Sequence, residues 1–485
     1  MSAKAAGGAI SYSVSVGASV ARASSNTDLD TYVGDDSLLM FGRDNSAGKL
    51  LISAEQHADN SAGDWAAGYD HASVRADAIT VNGSALLSVN GSSAETYDDG
   101  SVSTRVGDGV IISHETGNSG VPAGSQVTVA AKREAALLAK STGVVAGLAA
   151  VGASIAKAKS DASTDAYFGG SLAFQAEKFA LNADSVTDVV ADATAGSGGV
   201  VAGAAANTEV LDDADTGVTI GGAGLIRADQ VDVLAHHLSR FRPASDSVQA
   251  AVVGFSGSFA EANINSNVFT QINDAVDLAN NGRTRIMGYK VSVGSDSDID
   301  QGTNIVDAPS RSGSVSAGAG GVVNGSAGDS VINMTKNSRV TIGDGAFMRA
   351  YNRPDATEHT GLASLAILAG GSTTVVDQAN LASGGAVQAP YSSSKVKLTG
   401  GNKVDIGDKV ELVSADLLGV SAYETQVYVG ANATTKTWGG VGFAGSKAVT
   451  NVDFTQQVNV GDDSRLQGLG NVFVTAGRRA DTVST

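Results

Sequence analysis

The feature that most constrains this chain is a degenerate repeat made of three kinds of short, strand-like piece. One piece alternates apolar residues around a single variable position: Val127-Thr128-Val129, Phe179-Ala180-Leu181, Val231-Asp232-Val233, Val291-Ser292-Val293, Val410-Glu411-Leu412 and Val472-Phe473-Val474, with Leu50-Leu51-Ile52 and Ala346-Phe347-Met348 as looser copies. A second piece ends an apolar strand on glycine, at Gly34, Gly169, Gly221, Gly343, Gly407 and Gly461, and an aspartate follows at Asp35, Asp344, Asp408 and Asp462. The third piece is rich in glycine, alanine and valine, as in GVVAGLAAVGASIA from Gly143 and GVVAGAAA from Gly199. Neighbouring copies lie roughly 60 residues apart, within the range of repeat architectures.

Alternation such as Val340-x-Ile342 and Val404-x-Ile406 has the period of two that turns every second side chain inward. Composition agrees. There are 61 glycines but only 5 prolines. Glycine supplies tight turns and close approaches, while proline is excluded where every strand N–H must bond a neighbour. The expected fold is all-β: an elongated parallel β-helix, a solenoid running through residues 1–485 as one continuous shaft. A turn of roughly 20 residues would put three turns in each copy and make a rod on the order of 100 Å long. The interval between 55 and 125 is the longest, and leaves room for an insertion outside the coil. KREAALLAK, from Lys132 to Lys140, is rich in helix formers and reads as a turn or two of helix.

The alternation of Gly/Ala/Val-rich runs, V-x-I-G-D turns and V-x-V strands resembles the repeat regions of large filamentous haemagglutinin-like and leukotoxin-type filamentous adhesins of Gram-negative bacteria. The resemblance implies a right-handed β-helical shaft, secreted and displayed on the bacterial cell surface. The expected function is a non-catalytic shaft for cell adhesion. Its expected partners are a receptor or glycan on a host or neighbouring cell, or other copies of the chain. A self-assembling extracellular sheath, filament or surface-layer subunit is the first alternative, and a β-helical polysaccharide-degrading enzyme the second.

Charge and motifs narrow the chemistry. A net charge of −18 leaves no basic face for nucleic acid. With no cysteine, disulfides and thiolate chemistry are excluded. The first residues lack the charged-then-apolar order of a signal peptide. The longest apolar run, residues 143–156, is too short to span a bilayer, so no membrane insertion by this segment is expected. Gly117-Asn118-Ser119-Gly120-Val121-Pro122 looks like a protease serine loop, yet Asn-Ser-Gly is ordinary turn chemistry. His236 and His237 are adjacent, so on a strand they face opposite ways, and a solvated turn is the expected setting. Trp65 and Trp438 are far apart and have no acidic pair beside them for sugar cleavage.

One constellation admits a metal. Counting Asp296 as position 1, Asp298, Asp300 and Asp307 fall at 3, 5 and 12, with Asn304 at 9, the spacing of a calcium loop. Gly302 sits one place late for the loop's turn. Calcium is therefore the one cofactor considered, against a period-2 acidic strand face facing water. No catalytic residue is assigned.

Overall fold

The computed structural model of the chain describes residues 1–42, 47–57, 72–114, 124–277, 282–301, 314–352 and 362–478. Over these residues every regular element is a strand, 26 in all, and the strands pair in parallel. The single antiparallel contact among them is an isolated bridge, Asp277 with Gly282. No helix among the described residues is long and apolar enough to cross a membrane.

The register shows how the repeat is used. Gln126 lies beside Lys178 and Lys178 beside Gln230, two steps of 52 residues. Later steps are 54 residues, as in Tyr391 beside Gly445 and Leu418 beside Val472. Each strand therefore bonds to its own counterpart one whole repeat away. The three pieces of a copy are successive sides of one large rung, and the expectation of three turns per copy is corrected to one. Valine and its counterparts trace the levels: Val14, Leu87, Ala149, Val201, Val253, Val323, Val387 and Val441 are consecutive register partners. Eight levels at about 4.8 Å stand about 34 Å tall, so the 100 Å rod is corrected as well.

Register also sorts the sequence copies. Val291 and Val293 lie beside Leu365 and Ile367, and Leu418 and Val420 beside Val472 and Val474. Val410-x-Leu412 and Ala346-x-Met348 occupy another side of the rung, where Met348 neighbours Leu412 and Leu412 neighbours Leu466. Merging two sides into one motif is what made the spacing look irregular. Residues 74–114 form part of the second rung and are not an insertion.

The stretch from Lys132 to Lys140 is strand, inside Gln126–Ala146, despite its helix formers. Its backbone bonds to strands on both sides, and Arg133, Ala135, Leu137 and Ala139 turn inward at period two. A few tenths of a kcal/mol per residue of helix propensity cannot compete with two ladders of hydrogen bonds and a buried face.

The interior holds two large apolar compartments. One is filled by valine, isoleucine, leucine and phenylalanine, including Val127, Phe168, Phe179, Val231, Ile286 and Leu365. The other is narrower and rich in alanine, including Ala76, Ala139, Ala156, Ala193 and Ala206. Small side chains in the glycine/alanine runs let the facing strands come together there.

The turn glycines work by close approach. None of Gly34, Gly169, Gly221, Gly343, Gly407 and Gly461 has positive φ; the left-handed residue comes two places later, at Asp36, Gly345, Lys409 and Asp463. The aspartate after the glycine caps the next level. Asp408 N–H donates to Asp344 Oδ1 at 2.8 Å, Asp462 N–H to Asp408 Oδ1 at 2.7 Å, and Asp108 N–H to Asp35 Oδ1 at 3.0 Å. A Cβ on Gly343 would stand 2.5 Å from the backbone of Asn273 and Asp274, whereas one on Gly34, on the first level, meets nothing closer than 3.7 Å. Gly343→Val is therefore expected to lower stability by about 1–3 kcal/mol, with Gly34→Val near neutral. Paired melting curves check this, and equal melting of the two variants would remove the close-approach account.

Candidate functional site

The three described residues of the calcium spacing lie on the strand Lys290–Gln301, where Asp296, Asp298 and Asp300 alternate outward with Ser297 and Ile299 buried between them. They form a strand face and not a loop. Asp307 and Asn304 lie outside the described residues. Among the described residues no group of three or more histidine and carboxylate side chains is placed to hold a metal ion.

Stacking brings different partners to these aspartates. His236, Leu238 and Arg240 lie one level before Asp296, Asp298 and Asp300, and Gly370, Ser372 and Thr374 one level after. His236 bridges two carboxylates, with Nδ1 2.8 Å from Asp184 and Nε2 3.4 Å from Asp298. Ser372 donates to the other oxygen of Asp298 at 2.6 Å. Burial opposes charge on this imidazole, but the hydrogen bonds and charges of Asp184 and Asp298 outweigh it and push the pKa up to about 10. Burial raises Asp298 too, yet the hydrogen bonds from His236 and Ser372 bring it below the usual carboxylate range. Arg240 pairs with Asp188 at 2.6 Å, and burial still pushes Asp188 up to about 7.

The expected solvated turn at the histidine pair is corrected: both residues belong to the strand Gly224–Ile272. They do face opposite ways. His237 is wholly buried, 2.7 Å from Ser266 Oγ, and burial holds its pKa down at about 3. A histidine beside a serine has the parts of a nucleophile and its base, but His237, Ser266 and Ser297 are all sealed from solvent. A substrate has no approach to this pair.

His237 belongs to a buried polar seam between the two compartments. Arg133, Ser185, His237, Ser297 and Gly371 are consecutive register partners. Arg133 is paired with Asp98, and Lys336 with Glu424, with all four side chains at most 1% exposed. Asn402 donates to Glu424 at 2.7 Å. Asp212 lies on the same seam, pushed up to about 6 by burial despite its bond from Ser239. The signal for this seam was present: extending Val127-x-Val129-x-Ala131 by two residues turns Arg133 inward, and Val231-x-Val233-x-Ala235 does the same for His237.

Elsewhere, Asp99, Asp161, Asp213 and Asp215 line an open depression of about 310 Å³. Asn265 and Asn267 donate to Asp213 and Asp215 at 2.7 and 2.9 Å, so these carboxylates are partly engaged. Trp438 is exposed on the last level; Trp65 and residues 117–122 lie outside the described residues. The polar groups thus order and bind one another across levels, and those with perturbed pKa values are structural partners. No protein-family model, no curated protein and no solved structure matches this chain.

Proposed function

We propose that this chain is a stretch of right-handed parallel β-helix acting as the non-catalytic shaft of a secreted bacterial surface adhesin. One observation carries the reading: eight levels reuse one rung, and each level bonds mainly to the levels before and after it. Such a stack transmits length and stiffness, and stability accumulates level by level. The charged clusters are consumed in cross-level pairing, which leaves an enzyme reading without a site.

The sheath or filament alternative draws on the last level. There the core-facing Val452, Val460, Val472 and Val474 remain 39–47% exposed, a surface onto which another rung of the same shape fits.

Excising residues 176–227 tests the shaft reading, because Ala176 and Ala228 are register partners and the cut removes one rung in phase. The shortened chain is expected to keep its β-rich circular dichroism, to melt within a few degrees of the parent, and to label on intact cells with antibody as the parent does. Collapse of the fold would sink the level-by-level account, and failure of the parent to label at the cell surface would sink the location.

A further inference from the structure

The glycine/alanine/valine runs occupy one edge of every rung, and this edge carries no charge. Residues 5–21, 78–94, 141–156, 193–208, 247–260, 314–328, 378–394 and 437–446 contain no Asp, Glu, Lys or Arg, although the chain as a whole has 82 such residues, 32 basic and 50 acidic. The eight-level aliphatic ladder from Val14 to Val441 runs along it, facing out. Val201 is 52% exposed and Val387 44%. Leu148, Val200, Val252 and Val322 stand beside the ladder at the turn, and Phe255 and Tyr391 flank it, all of them exposed. Half-exposed valines contribute roughly 80 Å² each and the aromatics more, so the ridge offers on the order of 1000–2000 Å². That exceeds the largest apolar patch of an ordinary monomer, and reaches the roughly 800 Å² that each partner gives to a stable interface.

We infer that this edge is an interface for a second copy of the same chain, laid side by side. Charge selects the occupant. Two molecules of net charge −18 repel wherever their acidic faces meet, and the uncharged edge lets them close without bringing carboxylates together. Geometry agrees. Glycine and alanine positions next to the ladder keep the ridge low, so two identical ladders can pack across a two-fold axis, each patch its own complement. A lipid surface is disfavoured, because membrane-surface binding draws on lysine and arginine near the apolar face and this edge has none. The inference adds a partner and a surface to the shaft reading, and it rests on the stacking alone.

Sedimentation or light scattering of the full chain, from about 1 to 100 µM, is the test, with a Val201→Lys, Val323→Lys double variant and a Gln230→Cys control. Both valines lie on inner levels, away from the end rungs, and face solvent, so the variant should fold and melt as the parent does. The parent is expected to form dimers, and the variant to dissociate at least a hundredfold more readily. In a chain without cysteine, Val201→Cys should cross-link to its copy on mild oxidation while exposed Gln230→Cys should not. A parent that stays monomeric throughout, or dimers that survive both lysines and therefore stack through their ends, overturns the inference. Binding of the parent to phosphatidylcholine vesicles, lost in the double variant, would also overturn it by giving the edge to lipid. None of these outcomes bears on the excision experiment, which tests the shaft.

Discussion

Replacing Arg133 with methionine is expected to destabilise the chain by about 3–5 kcal/mol, the largest effect of any single substitution considered for this fold. Arg133 and Asp98 meet where two levels cross the seam between the apolar compartments, and neither side chain reaches water. Methionine keeps the bulk of the arginine stem and removes its charge. Asp98 is then a buried carboxylate whose one remaining oxygen already has no hydrogen-bond partner. The cost therefore comes from the abandoned carboxylate more than from the lost contact. The double variant Asp98→Leu, Arg133→Met should recover most of the loss, since a buried ion pair is often no better than apolar side chains of similar volume. Urea unfolding of the parent, both single variants and the double variant measures the coupling. Additive losses, with the double variant worse than either single, would show that the pair holds the seam by more than charge balance.

The second large effect is one of pH. The pKa of His236 is about 10 in the folded chain, against 6.5 when unfolded, so the native state holds an extra proton between those values. A raised histidine pKa contributes stability that is fully present below pH 6.5 and fades as pH climbs to 10. The pair of carboxylates at Asp184 and Asp298 should thus make the parent lose about 2–4 kcal/mol between pH 7 and pH 10, by an order-of-magnitude conversion of the shift. His236→Gln keeps a hydrogen-bonding side chain and removes the titration, so the difference between parent and variant should shrink across this range. His237 cannot produce the same slope. Its pKa is depressed to about 3, so its contribution is present above pH 6.5 and is lost on acidification toward pH 3. Melting temperatures from pH 6 to pH 10 separate the two histidines. Parallel parent and His236→Gln curves would mean that His236 is not held as a cation.

Much of this architecture was legible in the residues. Period-two alternation around Val127, Val231 and Val340 specifies strands with one face inward, and scarce proline with abundant glycine specifies a stack of strands and turns. These are local properties, written in neighbouring residues, and they required no knowledge of partners. The size of the rung was different. Which strand lies beside which is a long-range choice among similar pieces, and a V-x-V strand carries no mark that says whether its neighbour is 20 or 52 residues away. Only the stacking of Gln126 on Lys178 decides it. The same choice determined that Gly343 is needed for contact with the previous level, that Asp296 to Asp300 form a strand face, and that Lys132 to Lys140 give up a helical preference. It also set the polar seam. Arg133 and Asp98 are 35 residues apart, and their charges can be buried together only because two sides of one rung bring an inward arginine opposite an inward aspartate.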